Sequence, residues 1–385
     1  MNPVCGWTDK YKDNWNDAYG RMMAWWNFEE TDRPVVLTPV QKENAGGRAG
    51  GSGAAEETSD RTADGTACKA EIVTPEEKAR LESDAGAHLA RAREYNEGHI
   101  FTAESAPHAK TGYASLLGML GACAGCAIRY EPSNLNAWFV KIPDLFEGEL
   151  PEFRPEKLPY SFTIEMIDRY HAEFGMGCVL GANPLLDPMT TLAMMRGVED
   201  FCADMYERPE TVSTWIRRLG DIFLGIAAGY REKRAAFGRR EEHNWTGAWA
   251  PGDMDAIQCD VSAYISPEMF RRFAMEEAER EAAFFDYSVW HLDGTGEFVH
   301  LPDILSIGNI RAIQWVDEKF RNPAEFSHIW KKVLKAGKGL LITAKLGEAV
   351  ELTKRLGKRG LAFNLSDVKG YAEMEAALKK LRDIS

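Results

Sequence analysis

His291 and Asp293 are the residue pair in this sequence whose types and spacing best suit chemistry. They stand in the stretch SVWHLDGTGEF, residues 288–298, after a short apolar run and before Gly294 and Gly296. Residues two apart in a strand point to the same face, so the imidazole and the carboxylate share one side. A histidine titrates near neutral pH, and a carboxylate beside it orients it and raises its pKa. The pair predicts acid–base catalysis or metal ligation, with a hydrogen-bonded structural pair as the alternative.

Further candidates stand where other elements are expected to end. Asp260 follows Gln258 and Cys259 and precedes a helix start at Ser266. It either reaches the same site as a catalytic residue or holds a loop by a buried hydrogen bond. Cys259, a lone cysteine in apolar surroundings, is predicted to be a small buried hydrophobic residue. Aromatic walls and amide groups suit a small ligand, although tryptophan is equally ordinary core material. The predicted substrate-binding residues are Trp245, Trp249, Gln258, Gln314, Trp315 and Asn364.

The pattern of elements indicates how these residues could be brought together. Short apolar runs alternate with longer amphipathic stretches, which is typical of a parallel sheet with crossover helices. Candidate strands cover 33–40, 99–104, 137–142, 176–182, 243–249, 287–293, 310–316, 339–344 and 360–365. Candidate helices cover 75–96, 209–237, 266–285, 326–337 and 346–357. The pattern predicts an α/β protein with a single (β/α)8 TIM barrel and one strand to spare, and sites in that fold lie at the carboxyl ends of the strands.

The chain, residues 1–385, is therefore interpreted as one barrel domain. Aromatic residues at roughly helical spacing predict a helical N-terminal extension over residues 1–30. The segment 43–70 is rich in Gly, Ala, Ser and Thr, and it is predicted to be a flexible insert. This insert is either a lid over the site or a plainly disordered segment.

Composition narrows the class of partner and the compartment. The formal net charge is −13, which argues against nucleic acid and anionic membranes as partners. No apolar run is long enough to cross a bilayer, and the first residues lack the pattern of a secretory signal. Seven cysteines, an odd number, predict reduced thiols and a cytoplasmic protein.

Several stretches resemble one known family. TDRPVVL (31–37), DPMTTLAMMRGVEDFCADMYERPETV (187–212), QCDVSAYISPEMFRRF (258–273) and WHLDGTGEFVHLPDILSIGNIRAIQWV (290–316) are similar to the uroporphyrinogen decarboxylase-like superfamily. The resemblance covers most of the chain from residue 31 onward, apart from the Gly-rich insert. It implies a TIM barrel and one of two chemistries. These are cofactor-free decarboxylation of a porphyrinogen, or methyl transfer to or from a corrinoid protein, often with a zinc-bound thiolate.

Departures from the family pattern bear on which chemistry is retained. The decarboxylases carry an Arg-rich segment after their first strand; here only Gln41 and Arg48 remain of it. The zinc-dependent methyltransferases carry His-X-Cys, whereas this chain has His291-Leu292-Asp293 and no cysteine after Cys259. Histidine and carboxylate are legitimate zinc ligands. A zinc or other divalent ion held by His291, Asp293 and a third ligand is therefore one interpretation of the pair.

The resemblance favours a methyltransferase that moves a methyl group between a small methylated substrate and a corrinoid protein or a thiol acceptor. His291, Asp293 and Asp260 would be its catalytic residues. Two alternatives stay open at this point. One is a uroporphyrinogen decarboxylase-like carboxy-lyase acting on a smaller acid, and the other is a non-catalytic barrel that binds a tetrapyrrole or corrinoid. Family members often form homodimers, which makes a homodimer the expected assembly.

Overall fold

The structure, a computed structural model, describes residues 7–42, 80, 83–110, 115–130, 137–181, 185–317 and 319–384. The predicted flexible insert at 43–70, with Arg48, lies outside the described residues, and so does the start of the helix predicted at 75. The strands are β1 (Val35–Val36), β2 (Val40–Gln41), β3 (His99–Ile100), β4 (His108–Lys110), β5 (Ile128–Tyr130), β6 (Ala137–Phe139), β7 (Val179–Gly181), β8 (Glu242–His243), β9 (Trp249–Ala250), β10 (Met254–Ile257), β11 (Tyr287–Asp293), β12 (Ile310–Val316), β13 (Gly339–Ala344) and β14 (Leu361–Leu365).

Helices precede and separate these strands along the chain. They are α1 (Trp15–Trp26), α2 (Ala85–Gly98), α3 (Ser115–Cys123), α4 (Leu158–Phe174), α5 (Pro188–Arg196), α6 (Val198–Glu207), α7 (Pro209–Ala235), α8 (Pro267–Phe273), α9 (Met275–Phe284), α10 (Leu301–Ser306), α11 (Ser327–Lys335), α12 (Leu346–Leu356) and α13 (Tyr371–Arg382). Two short 3₁₀ helices matter for the site, Asp260–Tyr264 and Gly296–His300. No helix in the described part of the chain is long and apolar enough to cross a membrane.

The main sheet is parallel and has six strands in the order β1-β14-β13-β12-β11-β10. Strands β4 and β7 form a separate parallel pair, and the Glu104 N–H, in the segment before β4, donates to the Val36 carbonyl of β1. The α/β class is thereby confirmed. Closure of these strands into an eight-stranded barrel stays a prediction.

Alternate residues of the sheet belong to two different hydrophobic clusters. Val289, Ala312, Leu341 and Ala362 lie in one cluster, which also contains the large side chains of α1. Their sequence neighbours, such as Trp290, lie in a second cluster with the helices that separate the strands. Because successive strand side chains point to opposite faces, the first cluster marks the face that carries His291, two residues after Val289.

Helix α1 covers the amino ends of the strands. It buries Trp15, Ala18, Met22, Trp25 and Trp26, a helical spacing that puts these side chains on one stripe. The Trp25 indole N–H donates to the Gly360 carbonyl just before β14, and the Trp26 indole N–H donates to the Trp249 carbonyl. Each buried aromatic side chain contributes about 2–3 kcal/mol by leaving water. A helix thus lies within the N-terminal extension predicted over residues 1–30, and it covers one end of the sheet.

Three of the differences from the sequence predictions fall between residues 243 and 285. Strand β10 was not predicted, because its sequence, MDAI, is short and carries Asp255. The single strand predicted at 243–249 is an antiparallel hairpin of β8 and β9, in which His243 pairs with Trp249. The helix predicted at 266–285 divides into α8 and α9 at Ala274. The first difference matters most, because β10 places Gln258 and Asp260 beside β11.

Candidate functional site

His291 and Gln314 form the centre of a polar group on one face of the sheet. The two residues are register partners on β11 and β12, and His291 is buried. The His291 Nδ1–H donates to Gln314 Oε1 at 2.5 Å. A neutral imidazole that donates from Nδ1 carries its lone pair on Nε2. Nε2 is therefore the nitrogen of His291 that can accept a proton or bind a ligand.

Gln258 continues this polar group on the neighbouring strand. Ile257 is the register partner of Trp290, so Gln258 follows β10 at the level of His291 and on the same face. Gln258 is 2 % exposed. Neither its amide oxygen nor its amide nitrogen has a hydrogen-bond partner among the residues that the structure describes. A buried amide without partners costs free energy, which is typical of a side chain that meets a ligand.

Trp245 borders His291 from the hairpin between β8 and β9. The two ring centroids are 4.7 Å apart, with the rings nearly perpendicular. Asn364, on β14, donates from its Nδ2 to the Thr246 carbonyl at 2.9 Å and so ties this hairpin to the sheet. Both residues were predicted to bind substrate. Trp245 borders the site, whereas Asn364 positions the hairpin that carries Trp245.

A second group, made of carboxyl side chains, stands in the chain segments just after His291 and Gln258. Asp293 ends β11, Asp260 begins the 3₁₀ helix after β10, and Glu297 lies in the 3₁₀ helix after β11. The Asp293 N–H donates to Glu297 Oε2 at 3.2 Å. Asp187 is the N-cap of α5 and accepts from the Thr190 N–H at 2.8 Å. These four acidic side chains are close enough to influence one another, and Asp260 also interacts with His291.

Burial and mutual repulsion raise the pKa of three of these carboxyl groups. Burial raises the pKa of Asp187 to about 7, and the charge of Asp260 adds to the rise. Burial also raises the pKa of Asp260, a rise that His291 opposes and Asp293 reinforces. Burial raises the pKa of Glu297 well above its usual range, with Asp260 as the next cause. Carboxyl groups that keep their protons nearer neutrality can act as general acids.

Three of the four carboxyl groups line a cavity of about 430 Å³, whereas Asp187 and His291 are not part of its wall. Asp260, Asp293 and Glu297 line it together with the turn at Gly294. Gly294 has φ +72°, a conformation that favours glycine, and it lets the chain turn away from the sheet. The glycines noted in the sequence therefore form part of the wall of a cavity that could hold a small molecule.

The side chains of Trp249 and Trp315 lie elsewhere. Trp249 is fully buried against Trp15, and its indole N–H donates to the Glu104 carbonyl at 2.7 Å. Trp315 lies on the opposite face of β12 from Gln314, packs against Trp330, and donates its indole N–H to the Gly294 carbonyl at 3.1 Å. Trp249 is thus core material near α1, and Trp315 supports the Gly294 turn from behind.

Asp187 and Glu297 were not among the residues predicted from the sequence. Asp187 precedes Pro188 and Thr190, which is the signature of a helix N-cap and has no functional character by itself. Glu297 follows Asp293 by four residues across a glycine turn, and only the folded chain brings it back to the Asp293 N–H. Cys259 is buried as predicted, with its Sγ 4.0 Å from Met189 Sδ.

The residues present fit a divalent metal only in part. His291 Nε2 and the Asp293 carboxylate are suitable donors by type. Among the described residues, no group of three His, Cys, Asp or Glu side chains could hold a metal ion. A zinc site of the usual four-coordinate kind is therefore not completed by the part of the chain that the structure describes.

In comparison with known proteins, no protein-family model matches the sequence. No curated protein matches it either. Among solved structures, the chain is similar to a methyltransferase from Methanosarcina mazei, with a TM-score of 0.57 and 16% sequence identity. The likeness covers 95% of this chain and 98% of that chain. At this identity the likeness concerns the fold, which the two proteins share over nearly their whole lengths.

Proposed function

We propose that this chain is a methyltransferase of the uroporphyrinogen decarboxylase-like superfamily, built on a (β/α)8 barrel. It would move a methyl group between a small methylated substrate and an acceptor, either a corrinoid carried by a partner protein or a thiol. Two lines support the proposal. One is the sequence resemblance, and the other is the fold shared over 95% of the chain with a protein named as a methyltransferase.

The observation that carries the chemistry is the half-buried carboxyl of Asp260 beside His291 and Asp293. Burial raises its pKa, so it holds its proton at a higher pH than an exposed aspartate does. When a methyl group leaves an oxygen, nitrogen or sulfur atom for an acceptor, the bonding electrons stay on the heteroatom as a basic lone pair, whether the donor was neutral or an ammonium. That atom then takes a proton, and Asp260 is placed to give it. Proton donation of this kind contributes about 10²–10⁴-fold in rate.

His291 would restore that proton. Its Nδ1–H is fixed on Gln314, so Nε2 is the basic nitrogen, and the charge of His291 lowers the pKa of Asp260. An imidazole held in one tautomer can relay a proton between solvent and a neighbouring acid. Gln314 is thus a positioning residue. Gln258 offers the oxygen and the nitrogen of its amide to the substrate, since neither has a partner among the described residues.

A metal version of this proposal keeps His291 and Asp293 as ligands of a zinc or other divalent ion that would polarise the donor atom. The structure describes only these two ligands of such a site, so the proton transfer above does not depend on the metal. Elemental analysis of the wild type beside His291→Ala and Asp293→Ala decides between them. A stoichiometric metal that both variants lose would favour the metal version.

Exposed apolar side chains near the cavity suit the docking of a partner protein. Tyr264 is 75% exposed, Phe320 is 72% exposed and Val299 is 57% exposed, and all three stand in the segments that follow β10, β11 and β12. Single exposed apolar residues are ordinary, but a cluster beside a cavity is typical of an interaction surface. We propose that the corrinoid protein docks on this surface. We also propose that this chain is a cytoplasmic homodimer.

Methyl transfer to cob(I)alamin tests the proposal. The chain would be assayed with methylated amines, methyl thioethers and aryl methyl ethers, in the wild type and in Asp260→Asn. We expect transfer from at least one donor, and a rate about 10²-fold or more lower in Asp260→Asn. Asp286→Asn, in an exposed carboxylate at the opposite end of β11, is the matched control. A variant rate equal to wild type would remove Asp260 from the mechanism.

The alternative functions predict other outcomes of the same assay. A carboxy-lyase would release carbon dioxide from a small acid without any methyl acceptor. A non-catalytic barrel would bind cobalamin equally well in the wild type and in His291→Ala, and would transfer no methyl group. Absence of transfer from every donor class to both cob(I)alamin and thiols would contradict the methyltransferase proposal.

A further inference from the structure

The charge of the cavity beside Asp293 is unbalanced. Asp260, Asp293, Glu297 and Asp317 line it, whereas Lys319 and Arg321 supply the positive charges of its wall. Arg321 is already paired with Asp317. Its Nε donates to Asp317 Oδ2 at 2.8 Å, and its Nη2 donates to Asp317 Oδ1 at 2.6 Å. The inner wall is therefore acidic, because Asp260, Asp293 and Glu297 form no ion pair with an arginine among the residues that the structure describes.

Glu297 adds an observation that is independent of the charge count. Its side chain is 1% exposed, and its Oε2 is occupied by the Asp293 N–H. Its Oε1 has no hydrogen-bond partner within the residues that the structure describes. A buried carboxyl oxygen left without a donor costs free energy, because water can no longer solvate it. A ligand that brings a donor or a positive charge into the cavity would remove this cost.

The remaining wall suits methyl groups. Ala193, Met194, Val198 and Tyr264 line the same cavity. Methionine and aromatic side chains adapt to methyl groups, and an aromatic ring also attracts a cation to its face. The cavity thus joins an apolar side to an acidic side within one small volume.

We propose that this cavity binds the methylated ammonium group of a small organic cation, with Glu297 and Asp293 facing its charge and Tyr264 and Met194 contacting its methyl groups. The inference rests on the proposed function, since it names the class of methyl donor. A neutral donor such as an aryl methyl ether would fill the apolar side. It would leave the acidic wall without a counter-charge, so the cavity would select against it.

The mutual repulsion of the carboxyl groups supports this choice. Asp260, Asp293 and Glu297 line the same cavity, and Glu297 lies against the Asp293 backbone. A positive charge among carboxyl groups offsets both burial and repulsion, which is why buried charges are normally paired. An ammonium group would therefore gain more in this cavity than the same shape without charge.

Two ligands of the same shape and different charge test the inference. Choline and 3,3-dimethylbutan-1-ol differ mainly in the atom, nitrogen or carbon, that carries the three methyl groups. Their binding to the full chain would be measured by isothermal titration calorimetry, with tetramethylammonium chloride as a third probe. We expect choline to bind about tenfold or more tightly than the alcohol. Equal affinities, or tighter binding of the alcohol, would overturn the inference.

Paired substitutions test whether the preference for choline arises at this cavity. Glu297→Gln keeps the shape and the acceptor for the Asp293 N–H but removes the charge, and we expect it to abolish the preference for choline. Glu281→Gln is the matched control. Glu281 is equally buried and also has an unpartnered Oε1 among the described residues, but it lies in α9 outside the cavity lining. If both variants lost the preference, or if neither did, the binding would not be at this cavity.

These measurements do not depend on methyl transfer. Choline binding that discriminates charge, together with no transfer from any donor, would leave the cation site standing and contradict the proposed function. Transfer from aryl methyl ethers, with no discrimination between choline and its neutral isostere, would support the function and contradict the cation site. Thermal unfolding of each variant confirms that it is folded before binding is compared.

Discussion

The two ends of the sheet are both buried, and they differ in how their buried carboxyl groups are satisfied. At the end covered by α1, Glu104 accepts hydrogen bonds from Arg33 and Arg21, each at 2.8 Å, and from the Val36 N–H at 2.9 Å. Lys12 donates to the carbonyls of Phe101 and Ala103. At the carboxyl end, Glu297, Asp260 and Gln258 each have at least one side-chain atom without a partner in the described part of the chain.

The presence or absence of hydrogen-bond donors distinguishes a structural carboxyl group from a functional one more clearly than burial does. Glu104 and Glu297 are both glutamates with at most 1% exposure. The first is surrounded by donors, and the second faces other carboxyl groups. Buried polar groups in a stable core are normally paired. An unpaired set at the carboxyl ends of parallel strands, where sites of α/β folds lie, therefore points to a ligand.

The largest difference between the two ends is expected in the free energy of unfolding, when a glutamate at each end is replaced by glutamine. Glu104→Gln leaves the Arg33 guanidinium buried without its counter-charge, and we expect it to lower the free energy of unfolding by about 3–5 kcal/mol. Glu297→Gln removes a charge that has no counter-charge, so we expect a change within about 1 kcal/mol of wild type, or a gain. Urea unfolding of the two variants measures both. Equal losses would mean that the two ends do not differ in this way.

The second effect is a dependence of stability on pH that arises at the carboxyl end. The pKa of Asp187 is raised from 3.8 to about 7 in the folded chain, first by burial. The folded state therefore keeps a proton that the unfolded chain loses at lower pH. The free energy of unfolding falls as the pH rises from about 4 to about 7, and it stays lower above that. Asp187→Asn removes this contribution, and we expect it to gain about 1–3 kcal/mol on wild type between pH 5 and pH 8.

A matched control exists because the chain has another aspartate N-cap. Asp84 caps α2 and accepts from the Ala87 N–H at 3.0 Å, but it is exposed. Asparagine caps a helix about as well as aspartate, so neither substitution should weaken its helix. We expect Asp84→Asn to follow the pH dependence of the wild type. Parallel curves for Asp187→Asn and wild type would show that the Asp187 proton is not linked to folding.

The elements with the clearest sequence signals were predicted to within a residue or two. Strands β11, β12 and β13 are apolar runs with few charges, and their bounds agree with the prediction. Strand β10 escaped because Asp255 interrupts its apolar pattern, and only the fold shows that this aspartate is buried near Glu242 and Arg234. Apolar periodicity is informative where one environment dominates a segment, and it fails where a strand also carries a buried charge.

The candidate site was predicted in part for a similar reason. His291, Asp293, Asp260, Gln258 and Gln314 come together, because each stands at the end of a strand or directly after one. Trp315 directly follows Gln314 in β12, so the two side chains point to opposite faces of the sheet. Which of them meets the site depends on the strand register, because a shift of one residue reverses the faces. Asp187 and Glu297 owe their raised pKa values to neighbours from distant segments, which a linear pattern does not reveal.

The smallest effect concerns one phenylalanine near each end of the sheet. Phe28, just after α1, has φ +56°, and Phe320, after β12, has φ +50°. This left-handed conformation costs about 1 kcal/mol for a residue with a side chain, and glycine avoids that cost. The Phe28 ring lies against Gly360 and under the Arg359 guanidinium, at 4.5 Å. The Phe320 ring is 72% exposed beside the cavity.

Glycine at the two positions should therefore act in opposite directions. At Phe28 the loss of ring packing exceeds the relief of strain, and we expect Phe28→Gly to lower the free energy of unfolding by about 1 kcal/mol. At Phe320 little packing is lost, and we expect Phe320→Gly to raise it by up to about 1 kcal/mol. A loss at Phe320 as large as that at Phe28 would show that its ring packs within the chain. A gain would mean that a strained, exposed aromatic ring is kept at a cost in stability, as an anchor for a partner at the carboxyl end of the sheet would be.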